Sequence, residues 1–164
     1  MVLYLKRKFV SGDPSKCVGC CVCEYVCSMK NEGTYNPTKS RIRVVRLNPF
    51  VNVAIACRLC EEPQCVTACP REALTQSEKT GVIIVDENIC NGCAWCVEAC
   101  EFGAIQLHSK TRVAFVCNLC DGKPQCVEWC PEEALDFITE QGLAQKARIS
   151  ATKKLFQKTL IARP

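Results

Sequence analysis

The chain has 164 residues, 17 of them cysteine, and a formal net charge of +4. Cysteine at that density is far above ordinary usage, and the 48 % hydrophobic content counts those cysteines, so something they bind, rather than an oil-drop core, must organise the fold. No apolar run reaches the roughly 18 residues of a membrane helix. The stretch Met1 to Val10 lacks the apolar segment and small-residue cleavage site of a signal peptide. Six basic residues and no acids fall between Gly142 and Pro164, which leaves −2 on the rest and gives nucleic-acid binding no support.

In chain order, the first landmark is Cys17-x2-Cys20-x2-Cys23-x3-Cys27. Arg41 to Leu47 then alternates basic and apolar residues as a half-buried strand does, and Val51 to Ala56 forms a second strand after Asn48-Pro49. Motif two is Cys57-x2-Cys60-x4-Cys65-x3-Cys69, closed by Pro70. Ala73 to Thr75 and Val82 to Val85, joined across Gln76 to Gly81, read as a hairpin. Motif three is Cys90-x2-Cys93-x2-Cys96-x3-Cys100, followed by strands Ala104 to Leu107 and Arg112 to Val116. Motif four is Cys117-x2-Cys120-x5-Cys126-x3-Cys130, closed by Pro131, with a last strand at Ala134 to Ile138. The cysteine after each x3 lies where a short helix begins or ends. The unit strand, cysteine loop, helix, strand therefore repeats.

Spacing separates the chemistries open to so many cysteines. Zinc knuckles pair two C-x2-C units a dozen or more residues apart, with no need for four three-plus-one runs. A secreted disulfide framework fits neither the odd count nor the missing signal peptide. Motifs one and three carry the C-x2-C-x2-C-x3-C run of bacterial ferredoxins. A tight loop presents three thiolates to one cubane and cannot reach its fourth corner, so the last cysteine of a run ligates another cluster and motifs work in reciprocal pairs. Four motifs give sixteen ligands for the sixteen iron corners of four [4Fe-4S] clusters.

The runs Cys57-Arg-Leu-Cys60, Cys90-Asn-Gly-Cys93-Ala-Trp-Cys96 and Cys117-Asn-Leu-Cys120 resemble those of four-cluster ferredoxin-type electron-transfer subunits. Cys27-Ser-Met-Lys-Asn-Glu-Gly33, Asn36-Pro37 and Ser40 to Val44 resemble in particular the small iron–sulfur proteins that accompany tungsten and molybdenum pterin enzymes of the aldehyde oxidoreductase family. The resemblance covers residues 14 to 139. It implies an α+β fold of two ferredoxin-like halves related by a pseudo-twofold, with short strands, short helices and a C-terminal helix. One half would hold motifs one and four and the other motifs two and three, within a body of residues 1–140, and 141–164 would be a helix or docking tail.

Carried over from the family, cluster one takes Cys17, Cys20, Cys23 and Cys130, and cluster four Cys117, Cys120, Cys126 and Cys27. Cluster two takes Cys57, Cys60, Cys65 and Cys100, and cluster three Cys90, Cys93, Cys96 and Cys69. The family often has proline after motifs one and three, where this chain has Ser28 and Glu101; that removes a turn constraint and no ligand. The implied role is non-catalytic: a cytoplasmic subunit that passes electrons between a pterin-containing catalytic subunit and further redox subunits or a ferredoxin. The alternatives are a free-standing polyferredoxin, or a subunit serving a carbon monoxide dehydrogenase or hydrogenase.

Several residues fall outside that arithmetic. Cys21, the seventeenth cysteine, is expected to be a buried packing thiol. Gly19 and Gly92, each before a second cysteine, are expected to let the backbone approach a cluster. Trp95 and Trp129 are expected to shield clusters from water, and His108 to be an exposed or packed imidazole. There is no dinucleotide fingerprint, P-loop or nucleophile–base set. In the tail, Leu143, Ala147, Ala151 and Leu155, with Phe156 and Leu160, form an apolar stripe at helical spacing, fit either to pack on the body or to dock a partner.

Overall fold

A computed structural model describes residues 7–48 and 50–161, the side chains of 157–161 excepted. Pro49, Arg163 and the side chain of Leu160 lie outside what is described. The fold is α+β, built from two-stranded antiparallel sheets and mostly short helices. Strand β1, Lys8–Gly12, comes first, and helix α1 spans Val22–Glu32. Strands β2, Arg43–Asn48, and β3, Val51–Ile55, follow and pair with each other. Helix α2, Gln64–Thr67, precedes the hairpin of β4, Leu74–Gln76, and β5, Ile83–Val85. Helix α3, Trp95–Glu98, precedes that of β6, Gln106–Leu107, and β7, Ala114–Phe115. Helix α4, Gln125–Glu128, leads to β8, Leu135–Thr139, and α5, Glu140–Ile161, ends the chain.

The strand expected from Arg41 begins two residues later. The Ser40 hydroxyl donates to the Ile42 carbonyl at 2.7 Å and accepts the Ile42 N–H at 3.2 Å, an internal hook that holds those residues out of the ladder. Strand β1 has no sequence signal of its own: Lys8 to Gly12 carries only Phe9 and Val10 as apolar residues. It exists because it pairs along its whole length with β8, from Lys8 opposite Thr139 to Gly12 opposite Leu135. Helix α1 packs on α4, and α2 on α3. Motif one thus lies beside motif four, and motif two beside motif three.

The proline departures have unequal effects. After motifs two and four, Pro70 and Pro131 follow the short helices, consistent with their missing N–H. After motif one Ser28 permits the helix to continue to Glu32, and Gly33 ends it at φ +65°, its N–H on the Met29 carbonyl. After motif three the helix stops at Glu98 without proline, and Gly103, at φ +60°, folds its N–H back onto the Cys100 carbonyl at 3.0 Å.

The core is one contiguous cluster in which six cysteines, Cys23, Cys27, Cys57, Cys96, Cys117 and Cys126, sit among Phe9, Val10, Ile42, Leu59, Ile105 and Leu135. Helix α5 is capped by Thr139, whose hydroxyl oxygen accepts the Gly142 N–H at 3.2 Å. A Cβ on Gly142 would come within 2.6 Å of Ile138. Leu143 packs on the core and Lys146 pairs with Asp136. Beyond them Ala147, Ala151, Leu155 and Phe156 are exposed, so the stripe is not covered by the body.

Candidate metal centres

Each motif places its third cysteine at the second residue of a helix and its first two before that helix, Cys120 within a 3-10 turn at Leu119–Gly122. In α1, Cys23 and Cys27 are four apart and share the buried face. In the other three motifs the fourth cysteine falls beyond the helix end, where Cys69, Cys100 and Cys130 sit in one repeated turn. The residue three further on, Glu72, Gly103 or Glu133, has positive φ and donates its N–H to the cysteine carbonyl at 3.0 to 3.2 Å. The next N–H then meets the cysteine sulfur: Ala73 on Cys69 and Ala104 on Cys100 at 3.4 Å, Ala134 on Cys130 at 3.3 Å. All three alanines are buried. These amide donors are functional groups that the reading of cysteine spacing alone misses, although a repeated Cys-x3-Ala marks them in the sequence.

Cysteines of different motifs gather at two cavities, five at the first, Cys21 included, and four at the second. Cys17, Cys20 and Cys23 share one with Cys130, although over a hundred residues separate them; it encloses about 340 Å³ with its open mouth. Cys90, Cys93 and Cys96 share another, of about 280 Å³, with Cys69. Buried cysteines of every motif also shift one another's acidity. Burial first, then Cys100, Cys60 and Cys96, pushes the Cys65 thiol up to about 11. Burial raises Cys117 to about 11 against the Leu119 amide, with Cys27 and Cys120 adding to the rise. Cys126 is raised by burial, then by Cys117, Cys27, Cys120 and Cys23. Cys57 reaches about 12 through burial, opposed by the Leu59 amide and reinforced by Cys117, Cys65 and Cys60. Cys23 reaches about 12 through burial and the Glu24 carboxylate, and Cys96 about 11 through burial, Cys90, Cys69 and Cys93.

Among the described residues no three or more His, Cys, Asp or Glu close on a point that could hold a single metal ion; the cysteines surround volumes instead. The donor set fits an anionic cluster at each. Amide N–H groups aim at the sulfurs of Cys69, Cys90, Cys100 and Cys130. The Nε of Arg41, whose charge is felt at Cys117, is buried with no hydrogen-bond acceptor among the described residues. A [4Fe-4S] group with its four thiolates is negatively charged and takes N–H···S bonds of this kind.

Several expectations change. The glycines of motifs one and three are demanded by backbone conformation and by protein neighbours. Gly19 and Gly92 have φ of +71° and +69°, and a Cβ would stand 2.7 Å from the Asn52 Oδ1 and 2.5 Å from the Arg112 carbonyl oxygen. In motifs two and four the same position is leucine, Leu59 and Leu119, held at φ +53° and +59° by burial of the side chain. Cys21 is half-buried, not buried: it caps α1 at φ +62°, borders the motif-one cavity and accepts a bond from Arg46 at 3.0 Å. Trp95, the first residue of α3, and Trp129, the residue that caps the end of α4, are 58 % and 60 % exposed and do not seal the clusters. His108 is a packed, half-buried imidazole, edge-on to Phe115, with Nδ1 accepting the N–H groups of Lys110 and Thr111.

Paired cysteine motifs on hairpins and one-turn helices, with amides turned toward the sulfurs, define an iron–sulfur protein of ferredoxin type. Residues 50–140 match the 4Fe-4S dicluster domain family. The chain is 43 % identical over 137 residues to the polyferredoxin-like subunit of the aliphatic sulfonate oxidoreductase of Pyrococcus furiosus, covering 82 % of this chain and 79 % of that protein. It is 32 % identical over 139 residues to PhsB, the electron transfer subunit of the thiosulfate reductase of Salmonella typhi, covering 76 % of this chain and 72 % of that protein. It spans only 30 % and 22 % of the length of two other relatives. A solved active-site complex, BamBC of benzoyl coenzyme A reductase, aligns with a TM-score of 0.47 at 25 % identity, over 93 % of this chain and 96 % of that one.

The chain belongs to the 4Fe-4S dicluster family, among its polyferredoxin-like electron-transfer subunits. It is a non-catalytic subunit of an oxidoreductase complex and carries four [4Fe-4S] clusters. Among the described residues no helix is long and apolar enough to cross a membrane.

Proposed function

We propose that the chain is a four-cluster wire whose ligands are exchanged between motifs. Cluster one takes Cys17, Cys20, Cys23 and Cys130, and cluster four Cys117, Cys120, Cys126 and Cys27. Cluster two takes Cys57, Cys60, Cys65 and Cys100, and cluster three Cys90, Cys93, Cys96 and Cys69. The observation that carries this reading is that cysteines distant in sequence share a cavity, Cys130 with motif one and Cys69 with motif three. The body, residues 1–140, then divides into halves holding motifs one and four and motifs two and three, and residues 141–164 form a basic C-terminal helix or docking tail.

The mutual influence of the cysteines sets an order. Cys23 is felt at Cys126, Cys117 at Cys57, and Cys96 at Cys65. These influences support the order one, four, two, three for the clusters. Cys20 and Cys93, ligands of the two terminal clusters, are the exposed cysteines. Electrons enter and leave at those ends. The clusters supply one-electron exchange, and the chain's own residues hold the sulfurs, exclude water from the inner sites and direct amides at the thiolates.

The partner is a pterin-containing tungsten or molybdenum oxidoreductase subunit, in the cytoplasm, where thiols stay reduced. Support comes from the sequence resemblance and from the relative that serves an aliphatic sulfonate oxidoreductase. Anaerobic purification from the native host tests this: a large subunit containing tungsten or molybdenum should accompany the chain. A chain that purifies alone would mark it as a free-standing carrier, and a partner with neither metal would overturn the pterin assignment.

A further inference from the structure

Cys27 is supported unlike any other fourth cysteine. Because α1 runs on past it, the amide four residues later serves the helix and cannot turn back to the sulfur. Asn31 fills that place with its side chain: Nδ2 donates to the Cys27 carbonyl at 2.9 Å and lies 3.6 Å from the Cys27 sulfur. The backbone N–H of Arg41 donates to the same sulfur at 3.3 Å, a bond that side-chain substitution leaves in place. Asn31 is held from across the motif boundary, its Oδ1 accepting the Asn118 Nδ2 at 3.0 Å, while the Asn118 Oδ1 accepts the Cys120 N–H at 3.1 Å. The Arg41 Nε is buried without an acceptor among the described residues.

These groups converge on the most deeply buried set of cysteines. Cys27, Cys117 and Cys126 are each about 6 or 7 % exposed, whereas each of the other three proposed sets contains only one buried cysteine. Adding an electron deepens the negative charge of a cluster and its thiolates, so burial alone disfavours the reduced form. N–H donors and a nearby cation favour it. An inner site left to burial alone would interrupt the wire.

We propose that Asn31 and Arg41 set the reduction potential of the cluster that Cys27 completes, with Asn118 as the residue that positions Asn31. This rests on the exchanged-ligand reading above. Neither residue is a cysteine ligand, although both lie in the segments 27–33 and 40–44 that carry the family resemblance, and both act on one cluster only.

The test is an anaerobic potentiometric titration of the full chain, followed by low-temperature paramagnetic resonance. Asn31→Leu and Arg41→Met should keep full iron content and move one cluster to lower potential, leaving the other three in place. Asn31→Gln and Arg41→Lys, which retain a donor and a charge, should fall between wild type and those variants. Cys27→Ser and Cys126→Ser should both alter the same signal that Asn31→Leu moves. Unmoved potentials in fully loaded Asn31→Leu and Arg41→Met would overturn the proposal while leaving the ligand reading intact. Loss of iron from these variants would also overturn it, by making the residues structural. Cys27→Ser and Cys126→Ser acting on different clusters would overturn the ligand reading itself.

Discussion

Acidity and backbone conformation decide the behaviour of individual residues. In the metal-free chain, thiols pushed up to about 11 or 12 by burial and by one another, such as Cys23, Cys57, Cys65 and Cys117, hold their protons at neutral pH. Iron must displace those protons, so its apparent affinity rises with pH. Reconstitution of the metal-free chain with ferrous iron and sulfide should go further at pH 9 than at pH 7, read from bound iron. Gly92→Ala places a Cβ against the Arg112 carbonyl at positive φ and should cost about 2 to 3 kcal/mol. Gly33→Ala meets nothing within 4 Å and should cost about 1 kcal/mol, the conformational share alone. Anaerobic thermal unfolding of the two variants compares them. Cys21→Ala should keep all four clusters and lose at most about 1 kcal/mol, because Ala94 adopts φ +72° at the matching position of motif three. A missing cluster on iron analysis would make Cys21 a ligand.

The elements are short because the clusters replace much of their packing. Helices α2, α3 and α4 have four residues each, too few to persist alone, and they last because their cysteines are tied inward. Helix α5 is the exception, 22 residues rich in alanine, lysine, glutamine and leucine. Its first turn is fixed by Thr139, Leu143 and Lys146, and Ile149, Leu155 and Phe156 then stand 48 to 66 % exposed among basic residues. Deleting residues 147–164 should leave iron content and spectra unchanged while weakening co-purification with the catalytic subunit. A complex that survives the deletion would assign the arm no docking role. A deletion starting at 142 should be more damaging, since it removes Leu143 from the core.

Across the whole molecule, ligand exchange makes distant substitutions local. Cys130→Ser should perturb the cluster of Cys17, Cys20 and Cys23, and Cys69→Ser that of Cys90, Cys93 and Cys96, as read from paramagnetic resonance. Spectra in which each change alters only its own motif's cluster would refute the exchange. The number and type of clusters are legible in the sequence, because thiolate spacing is imposed by the cubane and cannot be disguised by context. The β4 to β7 hairpins are legible too, since Ser77 to Gly81 and the residues after Leu107 carry plain turn chemistry. Strand β1 is not, because five residues with two apolar ones signal nothing until β8 lies beside them. The exposure of Trp95 and Trp129 is equally hidden: adjacency to a cysteine in sequence does not say whether a ring at the end of a one-turn helix turns inward or outward. By itself the sequence determined sixteen sulfurs in four three-plus-one runs and hence the chemistry they hold. Only the tertiary structure decided that Asn31, Arg41 and Asn118 meet at Cys27 and that α5 leaves the body, because those outcomes depend on which surfaces are buried against which, a property of the packed chain and not of any local run of residues.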